Sequence, residues 1–387
     1  MLRCKRSRKA FTRRKDEMLK PTTQLVNWIV EKQLPWISYN DQIGRVELII
    51  DNHLLSTYRQ CPAYFMLYAV EGIRPKPQPT PTAPGGVPVG ERREWFLDFG
   101  ILWHKLMEEY YSPLTGFRSP GFTLQGFAVD TAKRWWDTMQ MDKYLSHPEC
   151  QKIGGFMGFA VLLVGYSNMF SSQNERLQWV ASEISFGKNK EVPIYTLVPS
   201  NYSGEWSICD IYLSGRIDLL FDDGTALVPM DHKTLNSFRR DPLARFLIDD
   251  GPTGYIYAMQ KILPTIVGAE LLARRTCNSI LMSLICKGDP PKNEPPFKRL
   301  PIFKSAEALE MYRQRQVATC NNIMSDLESY IRGQQVQRNT TACTNYYFYE
   351  CPYYDIHRQQ SIDAERKTIH NGFVALPVWN TERMNEE

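Results

Sequence analysis

The sequence has little charge of one sign to spare. Its 46 Lys and Arg stand against 42 Asp and Glu over 387 residues, a net charge of +4. The chain as a whole therefore makes no strong electrostatic statement about its partners. No G-x4-G-K-[ST] phosphate loop occurs, which excludes a helicase motor on this chain. No internal repeat is present. The charged start has no apolar segment behind it, so no secretory signal is expected. The nine cysteines are odd in number and scattered, against a secreted disulfide framework and for a reducing compartment, so a cytoplasmic location is expected. One long run lacks charge, Ile153 to Phe170. Glycines, Ser167 and Asn168 dilute it and no aromatic-plus-basic flanks frame it, so a buried helix is expected there and no membrane contact.

What is present describes a folded protein, with 43% hydrophobic and 12% aromatic residues, large enough for one elaborated domain or two. Residues 1–20 carry nine Lys or Arg, among them Arg3, Lys5, Arg6, Arg8, Lys9, Arg13, Arg14 and Lys15. Such a run reads either as a solvated tail or as an arm that contacts DNA phosphates. The expected layout is a basic arm and lead-in over 1–50, a main domain over 51–360 and a tail over 361–387.

Apolar spacing predicts helices over His53–Gly72, Trp95–Tyr111, about Gln125–Leu145, Gln151–Met169 and Pro242–Leu263. A long helix is expected over 305–333, ended by Gly333. The prolines of 74–94 forbid regular structure there. Between residues 177 and 290 the period shifts to two, and four strands are expected in "QWVASEISFG", "PIYTLV", "WSICDIYLSGRIDLLFDD" and "TALVPMDHK", with a fifth at Thr276–Lys287. Asp222, Asp223 and Gly224 supply the tight turn before "TALVPMDHK". Helices, a mixed sheet, then helices give an α/β (α+β mixed) fold with an extensive helical shell.

The chemistry concentrates at the end of that hairpin. Strand side chains alternate, so Asp231 and Lys233 share a face while His232 takes the other. Asp218 lies thirteen positions before Asp231, close enough for a hairpin to bring the two carboxylates together. Two convergent carboxylates suit Mg²⁺ or Mn²⁺, and a neighbouring ammonium suits developing negative charge. A plain ion pair between Asp231 and Lys233 is the bland alternative.

In order, "FGILWHKLMEEYY", "SGRIDLLF" and "PMDHKT" resemble the motifs of the PD-(D/E)XK nuclease superfamily, in its RecB, AddB and Cas4-like branch. The resemblance implies a central mixed β-sheet of the restriction-endonuclease-like kind. It makes His104, Asp218 and Asp231 metal ligands, Lys233 a catalytic partner, and Glu183 and Tyr255 secondary site residues. Gly251 stands where the branch has a glutamine four positions before the tyrosine. "STYRQCP" and the 340–358 segment, "TTACTNYYFYECPYYDIH", resemble the branch's cluster-binding ends. They imply a [4Fe-4S] cluster or Zn²⁺ on Cys61, Cys343, Cys351 and His357, with a packed aromatic core as the other reading. The implied function is a metal-dependent DNA nuclease, an exonuclease in recombination, repair or replication. Its partners would be DNA and a helicase or recombination protein in trans. The rival expectation is a non-catalytic nucleic-acid-binding or assembly protein on the same fold.

Overall fold

The computed structural model describes residues 21–76, 89–112, 123–187, 189–197, 209–235, 238, 242–287, 295–339, 341, 351–359 and 362–376. The arm residues Arg3 to Lys15 and Cys343 lie outside these. Thr22 caps α1 (Thr23–Lys32) by accepting the Leu25 amide. Residues grouped with the arm in the sequence reading then form a hairpin, β1 (Ile37–Asn40) and β2 (Arg45–Ile50). Asp51 caps α2 (Asn52–Gln60), accepting from Leu54 N at 2.6 Å.

The single helix expected over His53–Gly72 is not continuous. Cys61 is extended, at φ −163°, and α3 (Pro62–Phe65) restarts at the proline before a π turn over Met66–Val70. Pro62 lacks an amide and crowds the residue before it out of the helical region, which accounts for the break. After β3 (Ile73–Pro75) comes α4 (Val89–Tyr111), which starts inside the stretch expected to be irregular, directly after its last proline. Next are α5 (Leu124–Thr138), α6 (Pro148–Ile153) and α7 (Gly155–Asn174). The strands β4 (Gln178–Phe186), β5 (Pro193–Leu197), β6 (Cys209–Leu213), β7 (Gly215–Asp222) and β8 (Leu227–Leu235) follow. Then come α8 (Pro242–Ile248), α9 (Asp250–Ile266), α10 (Ala269–Arg274), β9 (Ser279–Cys286), β10 (Phe297–Phe303) and α11 (Ala306–Ile331). The chain closes with α12 (Tyr354–His357), α13 (Ile362–Gly372) and β11 (Phe373–Ala375).

The strands form not one sheet but several. In strand order, β10-β9-β8-β7-β4 make five strands, β1-β2-β6-β5 make four, and β11 pairs with β3. "WSICDIYLSGRIDLLFDD" therefore belongs to two sheets, divided at Ser214. Its amide donates to Ile50 O at 2.7 Å, which ends β6 in the four-stranded sheet before β7 begins in the other. The chain divides into two compact units, one of residues 1–78, 185–215 and 308–387, the other of residues 79–184 and 216–307.

The second unit is built on an apolar stripe of α4. Trp95, Phe99, Leu102, Trp103, Leu106 and Tyr110 recur at helical spacing and pack with Trp136 of α5 and Phe159, Leu163, Tyr166 and Phe170 of α7. The long apolar helix α7 is thus only partly buried: Met157, Val161 and Met169 on its other side are exposed. It is long and apolar enough to cross a membrane by length and composition. Its buried stripe is nonetheless fully engaged in this core.

In the first unit, Gly187 sits at φ +98°, and an added Cβ would lie 2.4 Å from Ser214 Cβ and 2.5 Å from its Cα. Both the left-handed backbone and the overlap exclude a side chain. Gly187→Ala should therefore cost about 2–4 kcal/mol, read as a lowered urea midpoint. An unchanged midpoint would mean that this junction relaxes without strain.

Candidate active site

The turn between β7 and β8 fixes everything downstream of it. Asp223 Oδ1 accepts the amides of Thr225 and Ala226 at 2.8 and 2.7 Å, and Gly224 takes φ +90°. Such Asx chemistry with a left-handed glycine specifies one hairpin register. The register pairs Asp222 with Leu227 and Leu219 with Met230, so one step further Asp218 stands across from Asp231. The His232 amide donates to Asp218 Oδ2 at 2.6 Å, closing the pair. On its other side β8 runs parallel to β9, with Asp231 beside Met282 and Lys233 beside Leu284.

Helix α4 reaches the same place. An added Cβ at Gly100 would meet Thr234 Oγ1 at 3.3 Å, so the glycine lets α4 lie close against β8. One turn later His104 presents Nδ1 to Asp218 Oδ2 at 3.3 Å. Glycine and histidine at this spacing thus have one purpose: close approach, then delivery of the imidazole.

The charges are strongly coupled. Burial alone would raise the Asp218 pKa, but the adjacent His104 outweighs it and holds the carboxyl below the usual range. Burial disfavours the His104 imidazolium, yet Asp218 outweighs this and raises its pKa. Asp231 goes the other way: burial and the nearby Asp218 charge push it up to about 6, against the pull of Lys233. Lys233 is itself penalised by burial, but Asp231, then Tyr255 and Asp218, raise it. Its Nζ donates to Asp231 Oδ1 at 2.8 Å. The Lys233 side chain is 42% exposed over an Asp231 that is 1% exposed, so the site opens outward past the ammonium.

Glu183 and Tyr255 also fall here. Tyr255, on α9, lies close enough to Lys233 to act on its charge. Glu183 occupies φ +49° within β4, a left-handed conformation rare for a non-glycine residue in a strand. Its carboxylate pairs with Arg216 Nε at 2.9 Å. Its pKa is raised, by burial first and then by Asp218 and Glu108 against the pull of Arg216. Glu108, Lys105 and Arg216 were not singled out as site residues in the sequence. Arg216 could have been, since it precedes Asp218 by two positions and shares its face. Gly251 is the second residue of α9, where Asp249 Oδ1 accepts its amide at 2.9 Å.

The donor set of one buried carboxylate, Asp231, one half-buried carboxylate, Asp218, and one imidazole fits a divalent cation such as Mg²⁺ or Mn²⁺ in its chemistry. Both Asp231 oxygens lie 2.8 Å from Lys233 Nζ, so a cation bound here would share the carboxylate with the ammonium. Among the described residues, no three His, Cys, Asp or Glu side chains already stand in metal-binding geometry. Full coordination thus requires side-chain adjustment.

The cysteine segment gives a partial match. Cys61 and Cys351 come together in one buried cluster with Tyr64, Tyr353, Ile356 and Phe373, and Cys61 Sγ accepts the Asn339 amide at 3.4 Å. The His357 pKa is lowered to about 4, by burial first and then by Arg338. The described residues thus supply a two-thiol corner inside an aromatic core, short of a complete ligand set.

A family profile described as the PD-(D/E)XK nuclease superfamily matches residues 54–353. No curated protein matches the chain. Among solved structures, one described as the crystal structure of SSO0001 is 14% identical, with a TM-score of 0.23, covering 65% of this chain and 92% of its own.

The raised Asp231 pKa carries a stability consequence. Its folded value, about 6, exceeds the ordinary 3.8, so folding takes up a proton between the two. The associated stability is present at acid pH and is lost as pH rises through about 6. Asp231→Asn removes that loss. The variant should be more stable than wild type above pH ~6.5 in EDTA, with the gain fading towards pH ~4, as read by urea denaturation. A variant less stable at neutral pH would show that the Lys233 pair outweighs burial.

Proposed function

The chain belongs to the PD-(D/E)XK nuclease superfamily, and we propose that it is a divalent-metal-dependent deoxyribonuclease, working as an exonuclease in recombination, repair or replication. One observation carries this reading: the β7–β8 register and the glycine-allowed approach of α4 gather Asp218, Asp231, Lys233 and His104. Asp218, Asp231 and His104 would hold Mg²⁺ or Mn²⁺, which when bound polarises the phosphodiester and acidifies a bound water. Lys233 keeps its proton, because Asp231 raises its pKa. It therefore serves as a fixed positive charge for the developing oxyanion and not as a base. Asp231 holds that ammonium in place. Tyr255, near enough to act on its charge, would help to orient it. Glu183, tied to Arg216, shapes the wall from which a phosphate would approach.

DNA is the proposed substrate, and the arm from Arg3 to Lys15 is proposed to add phosphate contacts without reading sequence. A helicase or recombination partner in trans would supply strand separation. A nucleic-acid-binding protein that has lost cleavage is the second reading, favoured by Gly251 in place of the glutamine.

End-labelled single- and double-stranded DNA incubated with Mg²⁺ or Mn²⁺ separates the two. Wild type should shorten the labelled strands. Asp231→Asn and His104→Ala should reduce this to background with either ion, and Lys233→Ala should slow it by about 10²–10³-fold. DNA that is bound but never cut, under both metals, would leave the binding reading standing.

The proposed ligand set of Cys61, Cys343, Cys351 and His357 is tested by metal analysis of protein purified without oxygen. Bound iron or zinc that disappears in Cys351→Ser is the expected result. A metal-free wild type would make the segment an aromatic core.

A further inference from the structure

In the second unit one cation stands beside the candidate site without an acid to hold it. Lys287 directly follows β9, and its amide donates to Leu235 O at 2.8 Å. That bond carries the β8–β9 pairing two positions past Lys233. The side chain crosses to α4, where Nζ donates to Phe96 O at 3.3 Å and lies 4.5 Å from the centre of the Phe96 ring. Among the described residues no carboxylate pairs with this ammonium. Burial pushes its pKa down to about 8, with no neighbouring acid to restore it.

Lys233 and Lys287 are opposites in this respect. Burial penalises Lys233 as well, but Asp231 restores its charge. A lysine without such an acid normally carries its head along an apolar stem to water. Lys287 is half-buried and turns its head to a helix instead. An ammonium drawn out of water onto neutral partners carries a cost that those partners do not repay. A structural strut between β9 and α4 does not account for it. A carbonyl inside a helix already accepts the amide four positions on, so Phe96 O needs no second donor.

The place of the ammonium supplies the reason. Phe96, Gly100 and His104 succeed one another along one face of α4 and meet Lys287, Thr234 and Asp218 in turn. Phe96 and His104 are eight positions apart, so Lys287 reaches the helix about 12 Å before the imidazole does. A DNA strand advances about 3.4 Å per nucleotide. A strand lying along this seam with one phosphate at the metal site brings another to Lys287 within a few nucleotides.

We propose that Lys287 is a second anchor for the DNA strand, its ammonium taking a backbone phosphate a few nucleotides from the bond held at Asp218 and Asp231. The inference rests on the nuclease reading and deepens it by giving the strand a course, along α4 between His104 and Phe96. A phosphate brings the fixed negative charge that the lysine lacks, so the cost carried by the free protein is offset in the complex. The contact touches no base and positions the strand without reading it.

The test is binding of labelled single-stranded and duplex oligonucleotides to the full chain in EDTA, titrated with salt from about 50 to 200 mM. Lys287→Gln should weaken binding and reduce the slope of log affinity against log salt by roughly 0.7–0.9, the loss of one phosphate contact. Lys287→Arg, which keeps the charge, should keep the slope. In the absence of DNA, Lys287→Met should raise the urea midpoint, because the unrepaid ammonium is gone. A wild-type slope in Lys287→Gln overturns the proposal and leaves the nuclease reading standing. A lowered midpoint in Lys287→Met also overturns it, by making the lysine a strut. Wild-type protein that binds neither oligonucleotide would sink the nuclease reading together with it.

Discussion

The His232 amide donates to Asp218 at 2.6 Å, and this bond decides what the rest of the site can be. A strand amide at this position would ordinarily seek a carbonyl across the ladder. Here it takes a side-chain carboxylate instead, so the backbone of one strand fixes the acid of the other. Asp218 cannot turn away from Asp231 without leaving that buried donor unsatisfied. The hairpin thereby holds two carboxylates close together at a place where their repulsion is expensive. The His104 and Lys233 charges are what make this tolerable, and each is delivered by a different element.

The electrostatics then divide the two acids. One carboxyl is held below the ordinary range beside an imidazole, and the other is raised to about 6 beneath an ammonium. Pairs of like groups whose pKa values are driven apart mark sites of chemistry more often than sites of packing. A structural ion pair would explain Asp231 and Lys233 alone. It does not explain why His104 is brought to Asp218, or why Glu183 accepts a left-handed backbone in the same neighbourhood. Strain of that kind persists where the surroundings over-determine it. A bound cation would relieve the repulsion that the folded chain otherwise carries, so stability and metal affinity are set against each other here.

Much of this was legible in the residues, for reasons of period. Asp231 and Lys233 share a face because strand side chains alternate, and Gly100 with His104 because helix positions four apart stack. The turn at Asp222–Gly224 announces itself by its chemistry. What was illegible was tertiary. Nothing in "WSICDIYLSGRIDLLFDD" says that Ser214 will bond Ile50 and divide the run between two sheets, because that partner lies 164 positions away. The hairpin at Ile37–Ile50 was passed over because its strands are short and follow a basic run. Cys61–Pro62 did carry a local signal, the proline, and the helical spacing on both sides obscured it. The Glu183 backbone has no sequence signature at all.

The placement of His104 depends on more than Gly100. Tyr111 follows it by seven positions on α4 and so projects from the same face two turns on. Its hydroxyl accepts from Arg299 of β10, which also donates to Tyr166 Oη at 2.8 Å and Asn174 Oδ1 at 2.7 Å. Tyr166 in turn is bonded to Ser283 of β9 at 2.8 Å. The Tyr111 ring stacks on His232 at 6.2 Å, and the His104 ring meets His232 edge-on at 6.1 Å. Helix α4 is therefore pinned at two points, by close backbone approach at Gly100 and by a hydrogen-bonded tyrosine at its far end. Rotation about its own axis would break the Arg299 network, and translation would collide at Thr234. His232 is the shared surface between them: its amide fixes Asp218, and its neutral, buried ring is the floor on which α4 rests. The residue between the aspartate and the lysine of the motif thus couples the helix that delivers the imidazole to the hairpin that delivers the acids.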